Sequence, residues 1–258
     1  MPRFAIAAIA ATLLLGGALS GTAHAQAALE APPLPHQQWS FDGIFGTYNR
    51  AALQRGFEVY QKVCSACHAV KHLYFRNLEE IGYTPQQVKG IAAQYQVTDG
   101  PNKEGKMFKR PARPSDPIPG PFPNEEAAKA VFGGAAPPDL SLIVNAREGG
   151  ADYVYAILTG FTHPPAGFKP IPGTYYNEYF PGNHIKMPPP LHPDQVKFAD
   201  GTTATVPQMA HDVATFLTWA ANPHLEERHR MGFKVILFLV VLTGVFYATK
   251  RKIWARIH

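Results

Sequence analysis

Cysteine is nearly absent: the 258-residue chain holds two, Cys64 and Cys67. So few thiols exclude a disulfide framework and a four-cysteine metal site. No internal repeat is present and no stretch alternates convincingly as a strand, which argues against solenoid and all-β architectures. A basic patch is missing as well, despite a formal net charge of +5. Arg3, Lys234, Lys250, Arg251, Lys252 and Arg256 lie outside residues 26–230, whereas all 19 acidic residues lie within them. The central part is therefore close to neutral, and nothing in it points to nucleic acid.

The two cysteines stand in Cys64-Ser65-Ala66-Cys67-His68. C-x-x-C-H is the attachment signature of c-type haem. Both sulfurs form thioethers with the porphyrin, and the adjacent imidazole ligates the iron from one side. A thioredoxin-like pair makes no demand for His68, and a zinc site needs a second ligand pair that the sequence does not supply. One covalent haem c is the expectation.

Both chain ends are apolar. Arg3, the run from Phe4 to Leu19 and Ala23-His24-Ala25 read as a secretory signal peptide, 1–25, cleaved after Ala25. Export suits a haem that is attached outside the cytoplasmic membrane. Met231 to Thr249 is apolar except for Lys234, which can snorkel to the interface. Nineteen helical residues span about 28 Å, close to the ~30 Å hydrocarbon core. A buried core helix would carry a polar stripe, and Val235–Ala248 has none. Lys250, Arg251, Lys252 and Arg256 form a positive-inside flank. The expected plan is a haem domain over 26–230, an anchor over 231–249 and a cytoplasmic tail over 250–258.

Proline is plentiful, with 25 residues concentrated in 101–123, 137–138, 164–172 and 181–193. Such density implies long ordered loops between few helices. Apolar spacing predicts helices near 49–63, 151–158 and 207–221, with a weaker one at 84–95. Gly56 on the first helix suits a close crossing with the third, with Phe57 and Trp219 filling it.

The iron's other side needs a ligand. Met1 leaves with the signal peptide, Met231 meets the membrane, Met209 belongs to a helix and Met107 sits in a lysine-rich loop. Met187 precedes Pro188-Pro189-Pro190, which hold the backbone extended. It is favoured over a core-filling role. His184 is the rival, with His163 and His192 more distant. His/Met ligation leaves no open iron position, so such a haem moves electrons and catalyses no bond chemistry.

Further motifs run in order along the chain: Phe41-Asp42-Gly43-Ile44-Phe45, Arg55-Gly56-Phe57-Glu58-Val59-Tyr60, Ala136-Pro137-Pro138-Asp139-Leu140-Ser141, Asn145-Ala146-Arg147-Glu148-Gly149-Gly150, Asp152-Tyr153-Val154-Tyr155, Leu158-Thr159-Gly160-Phe161, Tyr175-Tyr176-Asn177 and Glu226 to Gly232. Together with the haem motif they resemble the cytochrome c1 family, the c-haem subunit of bacterial cytochrome bc1 complexes. The resemblance covers essentially the whole mature chain. It implies a mainly α, class I cytochrome c-like haem domain with long Pro-rich loops plus one C-terminal transmembrane helix. It places Pro138, Arg147 and Tyr153 against the haem and its propionates; for Arg147 a surface ion pair is the alternative. Leu140 and Ile185 are candidate haem-wall residues.

The same resemblance implies cytochrome b and a Rieske iron–sulfur protein as partners, with a soluble or membrane-bound periplasmic c-type cytochrome as electron acceptor. The complex would be dimeric and would sit in the bacterial cytoplasmic membrane. Such a chain would not oxidise quinol alone. Some family members carry further cysteines near the methionine loop; with none here, loop rigidity is expected from proline and haem packing. Glu79, Glu80, Glu125 and Glu126 are candidates for steering a basic partner. The segment 100–122 suggests no function. Competing classes are a free-standing anchored carrier, a cytochrome subunit of a periplasmic dehydrogenase, a haem peroxidase and a thiol oxidoreductase.

Overall fold

The computed structural model describes residues 32–255; the expected signal peptide and Arg256 lie outside them. Helix α1, Arg50–Lys62, starts where the Asn49 side chain accepts a hydrogen bond from the Ala52 N–H, at 3.2 Å. Its Leu53, Gly56, Phe57 and Tyr60 recur at helical spacing and are buried. Helix α5, Val206–Ala221, is capped by Thr205, carries Pro207 in its first turn and is buried on most sides. It ends at Asn222, as Asn222-Pro223 predicts.

The two helices cross at Gly56. A Cβ at this position would come within 2.1 Å of the Asp212 carbonyl oxygen, so only glycine permits the approach. Phe216 fills the crossing, with ring centroids 5.6 Å from Phe57, 5.8 Å from Tyr60 and 5.8 Å from Trp219. Beside it Arg55 donates to the fully buried Asp212 at 2.7 Å and to Asp200 at 2.7 Å. Gln208 adds a third hydrogen bond to Asp212, at 2.9 Å. This buried charge is therefore paired and solvated by protein, the condition under which burial is tolerated.

Shorter elements complete the haem domain. Helix α2, Pro85–Ala92, opens with a reciprocal capping box between Thr84 and Gln87. Helix α3, Glu125–Val131, is capped by Asn124 and has no counterpart among the expected helices. Helix α4, Gly150–Thr159, ends at Gly160 and packs on α5. Its Asp152 accepts hydrogen bonds from Trp39 Nε1 at 2.7 Å and the Gln37 N–H at 2.9 Å, strapping the N-terminal segment to the domain.

Two antiparallel pairs appear where the sequence shows no alternation: β1, Gln96–Asp99, with β2, Phe108–Pro111, and β3, Tyr175–Tyr176, with β4, His184–Ile185. Strands of two to four residues are too short to print a period on the sequence. The first pair gives the 100–122 segment a structural role. Arg110 on β2 binds Asp99 and, at 2.6 Å, Asp116. The Asp116 carbonyl in turn accepts the Phe75 N–H at 3.1 Å.

Helix α6 runs unbroken from Leu225 to Trp254, 30 residues, none of them buried. Its length is about 45 Å. Its apolar stretch makes it the single helix among the described residues that is long and apolar enough to cross a membrane.

Candidate haem site

The motif begins as α1 ends. Cys64–Ala66 form one tight helical turn, and the Cys67 and His68 N–H groups both donate to the Cys64 carbonyl, at 3.0 and 2.8 Å. That turn brings both cysteines to the foot of α1. Tyr60 Oη holds the His68 carbonyl at 3.2 Å. The imidazole is clamped from the other side, with His68 Nδ1 donating to the Pro138 carbonyl oxygen at 2.8 Å. Placing the proton on Nδ1 leaves Nε2 for a metal bond, the arrangement in which an outer hydrogen bond orients a ligating histidine. Burial pushes the His68 pKa down and so favours the neutral ring a metal requires, against the opposing effect of the Pro138 hydrogen bond.

The Cys64 thiol is pushed up to about 12, first by burial and then by Cys67. A thiol oxidoreductase needs a depressed thiol pKa and an accessible thiolate, so this environment opposes that reading. Thioether formation removes the thiol altogether.

Pro138 is fixed by its own neighbours. The Leu140 N–H donates to the Ala69 carbonyl at 2.8 Å, and Asp139 Oδ2 accepts from the Lys71 N–H at 3.0 Å. Ser141 Oγ accepts the His72 N–H at 3.1 Å. Residues 138–141 are thus zipped along residues 68–72. Asp139 and Ser141 are functional positioners that the sequence reading missed; partners about 70 residues apart leave no local signature. Beside the clasp lies a cleft of about 330 Å³ lined by Cys67, Ala69, Lys71, Phe122 and Pro138 among others. Attachment sulfurs, oriented imidazole and partly apolar cleft suit a covalent haem.

The methionine loop is built differently. Asn177 is fully buried; its Nδ2 donates to the Ile157 carbonyl at 2.8 Å, and its Oδ1 accepts the Tyr179 and Phe180 N–H groups at 3.1 and 3.2 Å. Asn183, buried with φ of +60°, donates to the Asn177 and Glu178 carbonyls, each at 3.0 Å. Gly160 leaves room for this platform, since a Cβ there would meet Tyr179 at 2.6 Å. Two asparagines therefore brace the loop alongside its prolines, a device absent from the sequence expectation.

Met187 is half-buried two residues beyond Ile185, which is buried. The rival His184 is engaged elsewhere: its ring stacks on Phe168 at 4.6 Å, and Nδ1 lies 3.2 Å from Thr174 Oγ1. His163 lines a separate cleft with Phe161, Phe168 and Tyr175, and His192 is exposed.

Cys64, Cys67, His68 and Pro138 are brought together, and among the described residues no hydrogen bond ties Met187, Arg147 or Tyr153 to them. Arg147 is exposed on the turn before α4 and donates to the Ala146 carbonyl at 3.0 Å. It makes no ion pair with another described residue, so its guanidinium is free to meet a carboxylate. Tyr153 is half-buried on α4, and Leu140 is buried beside the clasp. The charges of Glu125 and Glu126 are partly answered by Lys129, at 2.8 and 3.0 Å.

Helical crossing, attachment motif, clamped imidazole and long apolar helix define a class: a c-type cytochrome-like haem domain carried on one membrane helix. Residues 39–257 match the model of the Cytochrome C1 family, and the chain belongs to that family. Cytochrome c1 from Rhodospirillum rubrum is 44% identical over 97% of this chain and 96% of its own length. The mitochondrial cytochrome c1 haem protein of Saccharomyces cerevisiae is 46% identical over 86% of this chain and 72% of its own. A Bradyrhizobium diazoefficiens protein named cytochrome b/c1 is 47% identical over 98% of this chain, which spans only 40% of that longer protein. The family carries haem and serves electron transport in the bc1 complex.

Proposed function

We propose that this chain is the membrane-anchored relay of a quinol-oxidising bc1 complex, taking one electron from a Rieske iron–sulfur protein and passing it to a periplasmic c-type cytochrome. The observation that carries the reading is His68 Nδ1 clamped at 2.8 Å on the Pro138 carbonyl, directly after the attachment cysteines. Bound haem supplies a one-electron ferric/ferrous couple. Cys64 and Cys67 would hold it covalently, and His68 and Met187 would ligate its iron. Pro138, Arg147 and Tyr153 pack on the ring and its propionates, with Arg147 suited to a bidentate carboxylate contact.

The engagement of His184 with Phe168 and Thr174 supports Met187 as the sixth ligand. Two strong ligands close the iron, so the protein's part is to bind, orient and exclude water around a redox centre. The haem domain, 26–230, lies in the periplasm, the anchor spans 231–249, and the basic tail, 250–258, stays in the cytoplasm. The run Lys250-Arg251-Lys252 supports that orientation. Cytochrome b is the membrane partner and the complex is dimeric.

Purification of the tagged full chain in mild detergent tests this. Co-purification of a b-type cytochrome and an iron–sulfur protein, with a pyridine haemochrome showing one covalent haem, is the expected result. A haem-loaded chain that travels alone from native membranes would favour a free-standing carrier.

A further inference from the structure

The haem domain exposes a small apolar tip at the root of its anchor. In the loop from Asp42 to Gly46, Ile44 is 74% and Phe45 72% exposed, among the most exposed large apolar side chains outside α6. Gly43, at φ of +76°, turns the chain so that both project from the tip. Gly46 closes the turn where a Cβ would come within 2.2 Å of the Phe41 carbonyl oxygen.

The loop does not dangle. Its last carbonyl, that of Gly46, accepts from His229 Nδ1 at 3.1 Å. Glu226, one turn earlier on α6, accepts the Tyr48 N–H at 2.8 Å and binds Arg50 at 2.9 Å. One turn later Phe233 meets Phe45, with ring centroids 6.3 Å apart. Glu226, His229 and Phe233 follow three-to-four spacing, so one face of α6 receives the whole loop.

That register sets the depth of the tip. Phe233 lies two residues inside the apolar stretch that starts at Met231, about 3 Å along the axis. Phe45 therefore stands level with the beginning of the membrane-spanning segment. Near this level α6 itself carries Arg228, Arg230 and Lys234 against Glu227, and the loop carries Asp42, while Arg50 is paired with Glu226. Aromatic and aliphatic side chains at such a level, rimmed by cations, match the chemistry of a bilayer interface.

We propose that Ile44 and Phe45 form a second membrane contact, inserting into the lipid headgroup–acyl boundary beside α6. A single helix leaves a domain free to tilt; the inserted tip adds a second point and sets the face the haem domain turns to the membrane. The occupant is lipid, argued from continuity with the anchor and from the cationic rim.

Nitroxide labels at Phe45→Cys, Ile44→Cys and, as reference, Asp42→Cys test this in the haem-loaded full chain, reconstituted in vesicles containing anionic lipid. The parent chain treated with the same label sets the background from Cys64 and Cys67. At positions 44 and 45, collision with oxygen should rise severalfold relative to a water-soluble nickel reagent, compared with position 42. Equal nickel access at all three positions would overturn the proposal. So would labels at 44 and 45 that exclude both reagents in native membranes containing the complex, since they would then be covered by another protein subunit.

Discussion

The two sides of the candidate haem site are held by different physics. On the His68 side, a helix, a tight turn and a backbone clasp converge within a few residues of the motif. On the Met187 side there is no long element, only a four-residue sheet and two buried asparagines. The first side borrows rigidity from the α1–α5 crossing and its apolar packing. The second depends on polar side chains that act as substitute backbone, each satisfying several buried groups. Packing can fix an attachment point, while a loop that carries a proposed ligand is held here by directional bonds.

The comparison is broken most completely at Gly56. Gly56→Ala drives a Cβ into the Asp212 carbonyl, so the helices must separate. A loss of about 3 kcal/mol is expected, because backbone displacement has no rotamer that relieves it. Chemical denaturation and the yield of haem-loaded protein measure it; wild-type values for both would mean the crossing is loose. Met187→Leu strikes the other side alone. Its expected signature is a midpoint potential lower by a few hundred millivolts and loss of the weak sulfur-to-iron band, with covalent haem retained. An unchanged spectrum would remove Met187 as ligand.

The smallest effect sharpens the contrast. Asn177→Ala strands the Ile157 carbonyl and two N–H groups, at an expected cost of about 2 kcal/mol. The sulfur band should weaken at a lower denaturant concentration than the one at which helix content falls. If band and helix signal are lost together at the wild-type midpoint, the asparagine platform does not govern the loop.

Legibility follows the same division. The α1–α5 pair and its glycine were readable because each is a local pattern. Pro138 was reached only through family resemblance, and its action runs through a backbone carbonyl that no side-chain substitution removes. Asp139 and Ser141 act across about 70 positions, and Asn177 and Asn183 bond to carbonyls that any residue type presents. Periodicity carries no trace of such bonds. The short strands and α3 escaped for want of length.

Helix α6 is one unbroken rod, and Glu226 and His229 fasten its exposed first turns to the loop that leads into α1. A swivel at this joint would have to break those bonds together. The haem domain and α6 therefore move as one rigid piece, and the head reorients only when the helix itself tilts or turns. In the relay proposed above, angular adjustment at each electron transfer would then fall to the partners.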